Sequence, residues 1–235
     1  MSPKQQRGEA TADRLMDAAL RLYGTSGEQG LTVSAVTKAS GVSLGSLYHH
    51  FGSLDGLAAA LFVRWNERLM DTLVSALTRS ASVRDGVRAV VEAYLGFVRE
   101  HRDAALFLHA SDPSRHMMHH GRQVREVQSA SLAAIAAWLE PHVAAGEIDP
   151  LPGPLVESLV MGPVVATARR WLSGIDDQDL DEAARVLPDR IWRSLAPDPA
   201  APDQATPGRA TPDPAARGQA GPDQAAADQA GPGAA

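Results

Sequence analysis

Hydroxyls and imidazoles crowd into one short stretch, Ser43-Leu44-Gly45-Ser46-Leu47-Tyr48-His49-His50, with Thr32 and Ser34 a little upstream. Such groups donate and accept hydrogen bonds without a permanent charge, which suits phosphate oxygens and the edges of bases. Residues 43–53 contain no Lys or Arg, so an anion held there relies on neutral donors and on helix N-terminal amides. A second set, His109, His116, His119 and His120, places His116 on the same helical face as His119 or His120. No carboxylate lies between His116 and His120 to complete a metal site, and no bound metal is expected. The chain has no cysteine, which excludes disulfides, thiolate zinc sites and cysteine nucleophiles. A Walker loop, an HExxH helix and a dinucleotide fingerprint are all missing, so neither an enzyme nor a cofactor is expected.

The polar cluster needs a scaffold, and 235 residues that are 44% hydrophobic and 21% charged can supply one or two modest cores. The first fifteen residues lack an apolar signal-peptide stretch, and no window holds the 18 or so apolar residues of a membrane span; a cytoplasmic location is the expectation. The net charge of −6 is unevenly spread. Residues 1–52 carry five Lys/Arg against four Asp/Glu, whereas residues 196–235 carry two Arg against five Asp. Acidity is thus kept away from the hydroxyl-rich stretch, where His49 and His50 can add positive charge.

Residues 1–10 are polar and read as a flexible N-terminus. Residues 11–195 show repeated helical periodicity and no strand alternation, so the fold class is all-α. Leu15, Ala18, Ala19, Leu22 and Tyr23 mark the first helix, with Gly24 and Gly27 as its stop. Thr32, Ser43 and Ser53 are N-cap residues for three further helices, and Asp55 sits where a helix dipole favours an anion. Later helices are expected at about 83–101, 103–110, 117–142, 155–172 and 178–195. From Ala196 the sequence is Ala, Pro, Gly, Asp and Gln with recurrent PDQA, half of the chain's 16 prolines and no aromatic, which reads as a disordered tail over 196–235.

Residues 30–57 then describe two short capped helices around the turn Ala39-Ser40-Gly41-Val42. Gly41 can end the first in the left-handed conformation, and Val42 is placed to plug the gap between them. This is a helix-turn-helix, whose second helix meets base edges with its leading turn, here Leu44, Gly45 and Ser46. Leu44 suits a thymine methyl, Gly45 permits close approach, and Tyr48, His49 and His50 suit phosphates. Two bundle helices with core aromatics would give the same pattern, so the residues alone leave both readings open.

The AALRLYGTSGEQGLT segment, the GVSLGSLYHHF core and the following S-x-D-x-L resemble the DNA-binding domain of the TetR/AcrR family of bacterial regulators, from about Thr11 to Leu61. The resemblance implies an N-terminal three-helix DNA-binding domain over 11–55 and a C-terminal helical bundle over 56–195 that dimerises and binds a small effector. It makes Ser34, Ser43, Leu44, Gly45, Ser46, Tyr48, His49 and His50 the DNA-facing set, to which the cap position adds Thr32. The implied function is a ligand-released repressor on a palindromic double-stranded operator, with an activator or a non-DNA-binding interaction module as alternatives. The chain departs from the family at Leu54, where a phosphate-gripping lysine is usual, and at Thr37, where an alanine is usual.

In the bundle, apolar stripes through Val87, Val90, Val91, Tyr94, Phe97 and Val98 and through Leu132, Ile135 and Trp138 leave room for an internal pocket. Tyr94, Phe97, Met117 and Trp138 are its candidate wall. The runs 155–172 and 178–195 are apolar on more than one face, which points to a homodimer through the last two helices. Gly162-Pro163 predicts a kink within the first of these.

Overall fold

The computed structural model describes residues 3–110, 113–174 and 177–197, with the side chains of residues 3–4 and 113–128 excepted. The described residues form helices and connecting turns, without strands. In chain order the helices are α1 (Pro3–Gly30), α2 (Val33–Ser40), α3 (Leu44–Phe51), α4 (Leu54–Thr78) and α5 (Val83–Glu100). They continue as α6 (Arg102–Ala110), α7 (Pro113–Ala144), α8 (Gly153–Ser173) and α9 (Leu180–Leu195). None is long and apolar enough to cross a membrane.

Local chemistry starts these helices. Thr32, Ser43, Ser53, Ser82 and Asp179 each accept a backbone N–H of the following turn, a cap worth about 1 kcal/mol. Burial then assembles them around two apolar clusters. The first joins Leu15 and Ala19 of α1, Val36 of α2, Val42 of the turn and Leu47 of α3 to Leu57, Leu61 and Phe62 of α4 and Phe107 of α6. The second collects Leu73 and Leu77 of α4, the Val83-Val87-Val91-Tyr94-Val98 stripe of α5, and Val164, Leu172, Leu180, Ile191 and Leu195 of α8 and α9. Helix α4 therefore belongs to both, its first half to one cluster and its second half to the other.

Several boundaries differ from those read in the sequence. Residues 3–10, expected to be flexible, form the opening turns of α1. Gly24 does not stop that helix. A Cβ there would run into the Asp103 carboxylate, so this glycine makes room for α6. The break comes at Gly27 (φ 62°, ψ −160°), after which helix resumes to Gly30. Helix α7 is longer at both ends than expected, starting with a proline, a residue whose missing N–H costs nothing at a helix N-terminus. Helix α8 is helical throughout, Pro163 included. Residues 198–235, read as a disordered tail, lie outside the described residues.

Candidate functional site

The turn between α2 and α3 is built from four local contacts. Gly41 adopts the left-handed conformation (φ 64°) that closes α2. The Val42 N–H donates to Ser40 Oγ at 3.2 Å while its side chain is buried among the helices. Arg14 of α1 donates to the Gly41 carbonyl at 3.3 Å. Ser43 Oγ accepts the Ser46 N–H at 3.2 Å and lies 2.9 Å from Ser46 Oγ. Leu47, fully buried, anchors the inner face of α3, and such a leucine contributes about 2 kcal/mol.

The outer face carries the residues singled out in the sequence. Leu44 is 52% exposed and Tyr48 49%, the two most exposed large apolar or aromatic side chains of this helix. Gly45, His49 and His50 are exposed beside them. A Cβ on Gly45 would touch nothing, so no internal packing demands a glycine there. Ser34 is exposed in the first turn of α2. The hydroxyls of Thr32, Ser43 and Ser46 are already engaged in helix capping or with one another. Those three shape the motif, with Thr32 and Ser43 exposed as well, and Ser34, Leu44, Gly45, Tyr48, His49 and His50 are exposed beside them.

Three features escaped the sequence reading. Gly8 of α1 comes alongside the His50 ring, which brings the N-terminal turns and exposed Arg7 to the end of α3. That segment has no apolar period to announce it. Gly56, in the first turn of α4, lies under the Phe51 carbonyl and has no room for a side chain. Gly41-Val42-Ser43-Leu44-Gly45 also spells the GxSxG of hydrolase nucleophile elbows. No strand precedes Ser43, and its hydroxyl is bonded within its own cap instead of to an imidazole. Of the departures noted above, Leu54 packs against the first core, and the Thr37 hydroxyl is satisfied by the Val33 carbonyl at 2.9 Å.

Helices α4, α5, α6 and α8 line a cavity of about 380 Å³ that opens to solvent beside exposed Glu157 and whose wall includes Phe62, Asn66, Leu69, Tyr94 and Phe97. Of the candidate wall residues, Tyr94 and Phe97 line it. Trp138 does not: its Nε1 donates to the Ser80 carbonyl at 3.2 Å and its ring lies against Gly86 and His142. The indole N–H needed an acceptor, and the loop before α5 supplies one. Met117, His116, His119 and His120 lie outside the described side chains. His109 is on the cavity wall, with Nε2 3.0 Å from Tyr94 Oη and Nδ1 3.4 Å from Arg169 Nε. Among the described residues no three His, Cys, Asp or Glu converge on a metal position.

Burial lowers the His109 imidazole to about 4, helped by the Arg169 charge, and raises the Tyr94 phenol to about 12. Both are neutral at pH 7. Between pH 6.5 and about 4 the unfolded chain binds a proton at His109 that the folded chain does not, so stability falls on acidification through that window. The His109→Gln variant should show a flatter decline of melting temperature from pH 6.5 to 5 than the parent. Equal slopes would place the acid sensitivity elsewhere.

A short helix held outward by a glycine turn, over a three-helix core and beside a helical bundle, defines a helix-turn-helix DNA-binding regulator. The family model for bacterial regulatory proteins, tetR family, matches residues 15–61, and that for the tetracyclin repressor-like C-terminal domain matches residues 83–194. The chain belongs to the TetR family of transcriptional regulators, whose members are regulators and not enzymes. It is similar to the HTH-type transcriptional regulator BetI of Rhizobium meliloti (strain 1021), 35% identical over 77 residues that make up 33% of this chain and 38% of BetI. The chain thus spans less than half the length of the curated relatives it matches. Its fold resembles a TetR family regulator from Marinobacter aquaeolei VT8 (TM-score 0.64, 21% identity, 83% of this chain and 100% of that one). It also resembles FadR of Bacillus subtilis, solved with stearoyl-CoA (TM-score 0.65, 16% identity, 77% and 98%).

Proposed function

We propose that this regulator is a cytoplasmic repressor that grips a palindromic operator as a homodimer and lets go when a small effector enters the cavity. The observation that carries the reading is the outer face of α3, open to solvent at Leu44, Gly45 and Tyr48. In it Leu44 packs on a thymine methyl, Gly45 admits the groove wall, Ser34 reaches the same duplex from α2, and Tyr48, His49 and His50 bond phosphates. Selection from a random DNA pool should enrich an inverted repeat with half-sites about one helical turn apart. A folded protein that enriches no sequence would remove the proposal.

Neutral donors release few counterions. The logarithmic salt dependence of operator affinity should therefore have a slope nearer about −4 than about −10, from roughly −0.9 per neutralised phosphate. A slope near the steeper figure would mean that arginines outside α3 dominate the contact.

The homodimer is supported by Leu155 of α8 and Val186 of α9, each 46% exposed on helices whose other faces pack in the core. Leu155→Asp with Val186→Asp should shift sedimentation from dimer to monomer and weaken operator binding. A parent protein that sediments as a monomer at every concentration would end this part of the reading. Effector release is supported by α4: Phe62 packs in the first core and also lines the cavity, so a ligand that displaces it moves the reading head. That the FadR neighbour was solved with stearoyl-CoA supports an effector that is at least partly aliphatic.

A further inference from the structure

We infer that the effector is an uncharged, mainly apolar molecule whose carbonyl oxygen accepts the Tyr94 hydroxyl proton inside the α4–α5–α6–α8 cavity. The inference rests on the effector reading above and adds the chemistry of the ligand.

The direction of the hydrogen bonds follows from the one group that can only donate. Arg169 Nε has no lone pair to offer, so His109 Nδ1 accepts from it at 3.4 Å. A neutral imidazole then carries its single proton on Nε2. That proton points along the 3.0 Å contact to Tyr94 Oη, which must accept it. The hydroxyl hydrogen of Tyr94 is left over. Tyr94 is only 5% exposed, and among the described residues its hydroxyl bonds to no group other than His109. A buried hydroxyl with an unused proton costs stability until something accepts it.

The rest of the wall selects what that acceptor is attached to. Phe62, Leu69, Phe97, Val98, Leu108 and Val165 make it largely apolar. Among the described residues the wall holds no Lys or Arg, whereas it does hold Glu157. A carboxylate would face the like charge of Glu157 there, while Arg169, which is not part of the wall, has its Nε turned to His109 Nδ1. An ester or ketone meets the donor at no such cost.

The test uses the full-length protein and displacement of an environment-sensitive apolar dye by methyl octanoate, octanoate and nonane. Methyl octanoate should displace the dye, with octanoate at least about tenfold weaker, the worth of one good hydrogen bond or more. Tyr94→Phe should weaken methyl octanoate about tenfold and leave nonane unchanged, the latter also showing that the variant keeps its cavity. The inference is overturned if octanoate binds more tightly than the ester. It is equally overturned if Tyr94→Phe leaves the ester unaffected, or if the ester fails to displace the dye. A gel-shift assay on the selected operator separates the two readings. An ester that binds through Tyr94 while the operator complex persists upholds the cavity chemistry and sinks the effector role.

Discussion

Replacing Gly56 by alanine should cost about 3 kcal/mol of stability and abolish operator binding, the larger end of what overpacking a site does. The new methyl group would sit inside the contact radius of the Phe51 carbonyl oxygen, which is backbone and cannot rotate away. Phe51 ends α3. Just beyond it the Gly52 N–H is bonded to the Tyr48 carbonyl at 2.9 Å, and Ser53 Oγ caps the Gly56 N–H at 2.9 Å. Relief therefore requires α3 to slide against α4, which carries Leu44 and Tyr48 out of position. Thermal melting should fall by on the order of 10 °C, given about 2–4 °C per kcal/mol for a chain of this size. An unchanged melting temperature would mean that the α3–α4 corner yields freely.

Gly45 should respond in the opposite sense. Nothing lies near its absent Cβ, so alanine is free to fit and to favour helix by up to about 1 kcal/mol. Larger residues such as Leu also fit in the free protein. Each added carbon stands where the groove wall would come, however, so operator affinity should fall about tenfold for Gly45→Ala and about a hundredfold for Gly45→Leu, in line with roughly 1–3 kcal/mol for a lost base contact. Melting and operator titration on the same samples make the check. A Gly45→Leu protein that binds its operator at full strength would take α3 out of the groove.

These two glycines also show where sequence reading works and where it stops. Thr32, Ser43, Ser53 and Gly41 were legible because caps and left-handed turns are local: the residue and its partner lie within four positions. Leu47 and Val42 were legible from period and spacing. Gly24 and Gly56 were not, since the atoms that exclude a side chain there belong to other helices or to the far side of a corner. Gly24 looked like a stop because glycine usually is one; only the approach of Asp103 explains it inside a helix. Trp138 failed as a cavity residue for a related reason. Its amphipathic stripe was read correctly as inward-facing, but the acceptor that fixes the indole is 58 residues away in sequence. The Tyr94–His109–Arg169 relay spans three helices, so spacing could suggest Tyr94 as a wall residue but not the direction of its proton.

The sharing of α4, and the presence of Phe107 in the first core edge-on to Tyr23 at 5.0 Å, bear on how hybrid regulators could be made from this chain. A seam cut just after α3 would strip the reading head of Leu57, Leu61, Phe62 and Phe107 at once and leave Leu15, Val36 and Leu47 facing water. A transplant must therefore carry α4 with it and find, in its new host, an aromatic to stand in for the one lent by α6. Swapping sensory halves between such proteins is constrained less by the loop that joins them than by this borrowed ring.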